Sequence, residues 1–440
     1  MERQPTGSER IFPINRLPRD ILAEVFVQCL PKFEKWSIDL STKHVAPLLL
    51  CSICSSWRKL VLSVPRLWQR LSLHFASYTA PGPESKTEEI IALIHEWTKR
   101  SGVLPLALSL RVVLIYGYLP GPGFQAMVEA VLGALVRYVS RWEHFHYESD
   151  FSITFPEFGD MPHLRSFSLR GGHFEDARLQ ISSSPMLTTL CWPLHPTASS
   201  SPSLPWHQLT HVVLGHFMTT RETLLVIQSC PMLTELEIEA YDDEDILNQL
   251  PHVVSNCLRK LVFDVGECAH LLKSLTLPGL TDMTLHFNCP MGPRVHKELL
   301  SFFTRSKCKL DRLHLVDPSF DDDQLLECLE HESCASITHL SLENMFNELM
   351  ATDPILVALT DVPSSDDRDI LLPELTHLEF HMCLGGSPGT LGMMLVSRCI
   401  MLDEEDQLKT VKIICPSLSP SDTVLLALAE THGLKVTLDI

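Results

Sequence analysis

The sequence predicts an α/β protein: a small helical module at the front, then a long repeat solenoid with an inner parallel sheet and outer helices. Three observations predict it. A pattern of one apolar residue, two variable, one apolar, one variable and one apolar recurs about twelve times between Trp142 and Leu438, at steps of roughly 22 to 38 residues, the range of stacked repeat units. Stretches of helical periodicity lie between the copies, and alternating strand and helix calls for parallel pairing. Two short apolar stripes at helical spacing precede the repeat, within Leu17–Trp68. A two-helix unit that small buries too little surface to stand alone.

Residues 1–12 read as a loose tail. Leu17-Pro18 opens the first helix, because proline at a first helical position is pre-organised. Ile21, Leu22, Val25 and Phe26 follow at helical spacing and predict a buried stripe. After a polar-rich spacer, Leu50, Cys54, Trp57 and Val61 fall on one face of a second helix. Pro65-Arg66-Leu67-Trp68 ends it, since proline cannot continue a helix and pushes the preceding residue out of one.

Leu17-Pro18, Ile21, Ile53-Cys54, Trp57-Arg58 and Pro65-Arg66-Leu67-Trp68 together resemble an F-box. Order and spacing match; the spacer through Phe33 to His44 is about ten residues longer than in the minimal motif. That form, and Glu96–Leu110 after it, is similar to F-box proteins of mushroom-type fungi. The resemblance implies that residues 13–76 dock a Skp-type adaptor, and through it a cullin ubiquitin ligase. It assigns Leu17, Pro18, Ile21, Cys54, Trp57 and Trp68 to the adaptor side, with internal packing as the competing role of Trp57.

Leu71-Ser72-Leu73-His74-Phe75 alternates like a strand, and Tyr78–Lys86 reads as a loop. Ser85 or Thr87 caps a helix carrying Ile90, Ile91, Ile94 and Trp97, which stops at Arg100-Ser101-Gly102. Leu104–Leu110 alternates strictly, as a strand with one buried face does. Phe124–Val139 is helical and strongly apolar. Residues 77–140 are thus a linker and N-terminal cap, and 141–440 the repeat array.

Within the array, helices are expected at Thr223–Cys230, Asp245–Leu250, Val295–Thr304, Asp323–His331 and Thr390–Cys399. The clearest start is Ser419-Pro420-Ser421-Asp422, with Gly433 as the stop. Ala351–Leu371 reads as an inserted loop. The array resembles the irregular leucine-rich repeats of F-box proteins. The family's asparagine after the third apolar position is mostly missing, Asn288 excepted, so an uneven curve without a regular asparagine ladder is expected.

The net charge is -19, from 35 Lys+Arg against 54 Asp+Glu. That balance argues against nucleic acid, which needs a basic footprint, and against an anionic membrane surface. Residues 1–16 lack an apolar core, and Val103–Tyr118 is broken by Pro105 and Arg111, too short to span a bilayer. Fourteen scattered cysteines then imply free thiols in a reducing compartment, cytoplasm or nucleus. The clusters Asp242–Asp245, Asp321–Asp323 and Asp403–Asp406 suit helix starts and solubility, or a rim attracting a basic ligand.

The chemical motifs are weak. Gly385-Gly386-Ser387-Pro388-Gly389 matches the GxSxG nucleophile elbow, with Asp403 and His432 in the right order. The oxyanion hole there uses the N–H after the serine, and Pro388 has none. Cys51 and Cys54 have metal-ligand spacing without a second pair, and His377 and His381 form a chance pair in a strand pattern. No cofactor, metal or catalytic residue is expected.

Strand alternation turns the variable residues beside the second apolar position of each copy onto one face. These are His144, His146, His211, Glu235, Glu237, Lys260, Asp282, Arg312, His314, His339, His377 and Glu379. A mixed-sign polar ladder suits recognition of a target protein. The expected function is the substrate-recognition subunit of an SCF-type (Skp–cullin–F-box) ubiquitin ligase, itself non-catalytic; the alternative is a scaffold that binds the adaptor without delivering a target.

Overall fold

The computed structural model describes residues 14, 17–30, 45–77, 86–114, 121–151, 153, 155, 158–171, 181, 184–192, 204–215, 218–239, 250–264, 268–287, 294–318, 320–344, 349–360, 370–400 and 407–439. The tail, most of the spacer, the acidic clusters at 242–245 and 403–406, and Asn288 lie outside them. The chain divides into two compact units, Met1–Thr189 with Ser200–Pro205, and Leu190–Ser199 with Trp206–Ile440.

The first unit opens with helices α1 (Arg19–Gln28), α2 (Leu48–Ile53) and α3 (Ser55–Ser63). Pro18 caps α1, its carbonyl accepting from the Leu22 N–H at 2.9 Å. Only Leu22 and Phe26 of the expected stripe are buried; Ile21 and Val25 face out. The second helix is two helices. Cys54 is extended (φ -156, ψ 168) between them, and its Sγ accepts from the Trp57 N–H, so it acts as a cap. The Arg58 Nε donates to the Cys51 carbonyl across the break at 2.8 Å.

Strand β1 (Arg70–Ser77), α4 (Thr87–Arg100), β2 (Leu106–Leu114), α5 (Pro122–Val136), β3 (Trp142–Ser149) and β4 (Ser166–Arg170) complete the unit. The four strands pair in order, all parallel, so the sheet begins well before the repeat does. Thr87 is the first residue of α4 and Lys86 stands at its N-cap; Gly102, at φ +62, sits just beyond the helix. β2 is buried on both faces over Leu106–Leu110, Ala107 and Ser109 included, rather than on one.

The second unit runs β5 (Thr189–Trp192), β6 (His211–Leu214), α6 (Thr220–Ser229), β7 (Glu235–Ile238), β8 (Val253–Val254), β9 (Lys260–Asp264), α7 (Ala269–Ser274), β10 (Leu275–Thr276), β11 (Asp282–His286) and α8 (Arg294–Ser306). It continues with β12 (Arg312–Val316), α9 (Asp322–Glu330), β13 (His339–Glu343), α10 (Asp353–Ala358), β14 (His377–His381), α11 (Thr390–Ile400), β15 (Thr410–Ile414), α12 (Pro420–Thr431) and β16 (Lys435–Asp439). Its strand order is β5-β6-β7-β9-β11-β12-β13-β14-β15-β16, an open sheet and no closed barrel, with β8 and β10 as a separate pair. From β6 onward the neighbours are parallel and in even register.

Every one of the twelve repeat copies ends in a strand. In all copies but the last the three apolar positions go inward: Leu233, Leu236 and Ile238 are at most 1% exposed, as are Leu310, Leu313 and Leu315, whereas Leu438 of the last copy is 43% exposed. Each such side chain contributes about 1.5–3 kcal/mol by leaving water. α12 starts as expected, Ser419 Oγ accepting from the Asp422 N–H at 3.0 Å, and Gly433 at φ +102 ends it. Ala351–Leu371 is not simply a loop, because α10 forms within it on buried Ile355 and Leu356. Among the described residues no helix is long and apolar enough to cross a membrane.

A hydrogen-bond ladder stands at the head of these strands. The Thr234 carbonyl accepts from the N–H groups of Arg259 and Lys260, that of Arg259 from Thr281 and Asp282, and that of Thr281 from Asp311 and Arg312, all at 2.8–3.0 Å. The series continues through Asp311, Thr338 and Thr376. Thr234, Thr281 and Thr376 add hydroxyl bonds to the preceding rung at 2.9, 3.2 and 3.2 Å. These threonines tie neighbouring turns together where asparagine is missing.

Candidate functional site

Two surfaces carry the residues singled out from the sequence. The first lies on α1–α3. Phe26 packs on Trp57 with ring centroids 4.7 Å apart, which leaves Trp57 half-buried. Leu17, Pro18, Ile21 and Cys54 are exposed, Ile21 by 49%. Trp68 is not available to a partner, contrary to expectation. It is 1% exposed, donates its Nε1–H to the Val61 carbonyl at 2.9 Å, and packs edge-on against Trp97 at 4.7 Å under the Arg100 guanidinium. A large aromatic closing a short helical module is absorbed into the core beneath it.

Four further apolar side chains of these helices are exposed: Val25, Leu49, Ile53 and Leu62. Sequence reasoning placed Val25 in the buried stripe and quoted Ile53 only as part of the motif, and it left Leu49 and Leu62 out. Ile21 and Val25 form a stripe one residue out of phase with Leu22 and Phe26, and in this fold only the second pair is buried. An ion pair, Arg66 Nη1 to Glu24 Oε2 at 2.6 Å, joins α1 to the turn after α3. The Cys54 thiol is held below its usual range by the Ser56 hydroxyl at 3.0 Å and by the Trp57 N–H.

The second surface is the less buried face of the second unit's sheet. Strand register sets His211, Glu235, Lys260, Asp282, Arg312, His339 and His377 side by side in one row. Glu237, His314 and Glu379 fall in the next row, so the ten ladder residues from His211 to Glu379 share this face, while His144 and His146 do not belong to this unit. All are half-buried except Arg312, which is exposed. Charge alternates along Glu235, Lys260, Asp282 and Arg312. His211 Nε2 lies 3.1 Å from Glu235 Oε1, and burial raises the Asp282 carboxyl above its usual range against the pull of Lys260 and Arg312.

His339 and His377 stack face to face, centroids 3.9 Å apart and 8° from parallel. The hydroxyl of the preceding threonine lies against each Nδ1, at 2.6 Å from Thr338 and 2.8 Å from Thr376. Desolvation lowers both imidazoles, His339 further through His377 and His377 further through Arg312. Both effects favour the neutral form of the pair. Beyond it, Glu343 Oε2 stands 3.4 Å from His314 Nε2 and 3.3 Å from His381 Nδ1; Glu379 meets His381 at 3.2 Å and Lys412 at 3.9 Å. Burial lowers His314 as well.

His144 and His146 belong to the first unit. His146 Nδ1 lies 2.9 Å from the Ser168 hydroxyl and Nε2 3.4 Å from Glu148, which Arg111 grips with two bonds at 2.7 and 2.9 Å. The Ser387 hydroxyl donates to Asp353, and its N–H donates to the same carboxylate at 2.6 Å. His432 instead bonds locally, to Leu428 and Thr431. Asp403 lies outside the described residues. Among the described residues no group of three or more His, Cys, Asp or Glu is arranged to hold a metal ion.

No protein-family model matches this chain, and no curated protein matches it.

Proposed function

We propose that the chain is the substrate-recognition subunit of a Skp–cullin–F-box type ubiquitin ligase. The front helices dock a Skp-type adaptor, the adaptor brings the cullin ligase, and the second unit's open sheet face holds the protein to be modified. The chain acts by tethering, which raises the target's effective concentration at a catalyst carried elsewhere. One observation carries the reading: Leu17 just before α1, and Ile21, Val25, Leu49, Ile53 and Leu62 on the three short helices, are exposed although the same helices bury Leu22, Phe26 and Val61. Single exposed apolar residues are ordinary, but a cluster on one small module marks an interaction surface. The mixed-sign rows supply the second requirement, a broad polar face suited to a protein rather than to a small molecule.

The test is co-expression of the full chain with a Skp-type adaptor, followed by co-purification. The unaltered chain is expected to retain the adaptor, and Leu17→Ala with Pro18→Ala to lose most of it. Unchanged retention by that variant means the surface is wrongly assigned. Ubiquitin transfer by the assembled ligase then separates target delivery from a plain scaffold.

A further inference from the structure

We propose that the last two strands of the second unit form a seat for an oxyanion carried by the target, built from Thr410, Lys412, Lys435 and Thr437, which rests on reading this face as the target surface. Register places Thr410 beside Lys435 and Lys412 beside Thr437. With strands about 4.8 Å apart and same-face neighbours about 6.6 Å apart, two ammonium groups and two hydroxyls occupy the corners of one small rectangle. A depression of about 180 Å³ lies there, walled also by Leu378, Glu379 and Val411.

The donors are largely unspent. Neither threonine hydroxyl bonds to another described residue, and Lys435 is exposed without an ion-pair partner among the described residues. Glu379 draws Lys412 to 3.9 Å, too long for a hydrogen bond, and holds it at the edge of the depression. Two cations against the one carboxylate lining the depression leave it locally positive, on a chain whose net charge is -19. That contrast marks the spot: the overall field repels anions, so only directed donors retain one. The fitting group is a terminal oxyanion, a phosphoryl ester or a carboxylate, on a side chain of the bound protein.

The experiment is methyl NMR of the full chain labelled at threonine, titrated with inorganic phosphate at constant ionic strength. Saturable shifts are expected at Thr410 and Thr437, with affinity falling about tenfold or more in Lys412→Gln with Lys435→Gln. Absent or unsaturable shifts at these methyls, or shifts that survive the double variant, overturn the seat. Phenyl phosphate and benzoate then separate the two sources: tighter binding of the first assigns a phosphoryl ester, equal binding a carboxylate. No adaptor is present, so failure here is distinct from failure of adaptor docking.

Discussion

Arg398 sits in the second unit with no exposed surface. Its Nε donates to the Leu359 carbonyl at 2.7 Å, its Nη1 to that of Leu372 at 2.8 Å, and its Nη2 to that of Leu371. One planar fork thereby satisfies carbonyls at the end of α10 and in the segment before β14. Arg398→Met keeps the bulk and strands those acceptors, which costs about 3 kcal/mol or more. Arg398→Lys, with a single point of donation, recovers only part of it. Urea unfolding of both variants measures the difference; a Met variant as stable as the parent would refute the fork's role. This residue was illegible in the sequence. An arginine within an apolar helical run reads as the exposed face, and nothing in periodicity marks three carbonyls meeting it from a segment 26 to 39 residues away.

At the scale of elements, the strands were legible and the breaks were not. Each apolar triplet became a strand because period-two burial is local and repeated, and the capped start of α12 was readable because its groups lie within four residues. The turn at Cys54 was missed because Leu50, Cys54, Trp57 and Val61 also fit one continuous helix; what divides it is a sulfur cap and Arg58 reaching back to Cys51. α10 was hidden by the polar stretch around Asp366-Asp367 that follows it. The threonine before each strand, as in Leu209-Thr210-His211, Ile337-Thr338-His339 and Leu375-Thr376-His377, was visible yet overlooked beside the leucines. The two stripes of α1 make an internal control for the adaptor surface. Ile21→Asp changes stability by no more than about 0.5 kcal/mol, since the side chain is exposed, while Phe26→Ala costs about 3–5 kcal/mol. Thermal unfolding of both variants is the check, and equal losses would mean the outer stripe is part of the core. In the adaptor pull-down, Ile21→Asp is expected to abolish retention without touching the fold.

At the scale of the whole molecule, stability comes from neighbours stacked in sequence order. Each strand of the second unit from β6 onward pairs only with the strands beside it, so ordering is transmitted rung by rung and the outermost rung lacks half its support. β16 is that rung. It pairs on one side with β15, and Lys435, Thr437, Leu438 and Asp439 are exposed along it. β12 and β13, by contrast, are flanked on both edges and bury Leu313, Leu315, Leu340 and Leu342 completely or nearly so. Native-state hydrogen exchange is therefore expected to show protection rising from β16 inward, with β13 amides at least about a hundredfold slower, a gap of about 3 kcal/mol. Uniform protection across the sheet would instead mean that the unit opens all at once and that the rungs are not independent. A graded profile has a functional corollary for the oxyanion seat, half of which stands on β16: a ligand bridging Lys412 and Lys435 binds only the paired state of the two strands, so inorganic phosphate should slow exchange in β16 selectively and leave β13 unchanged.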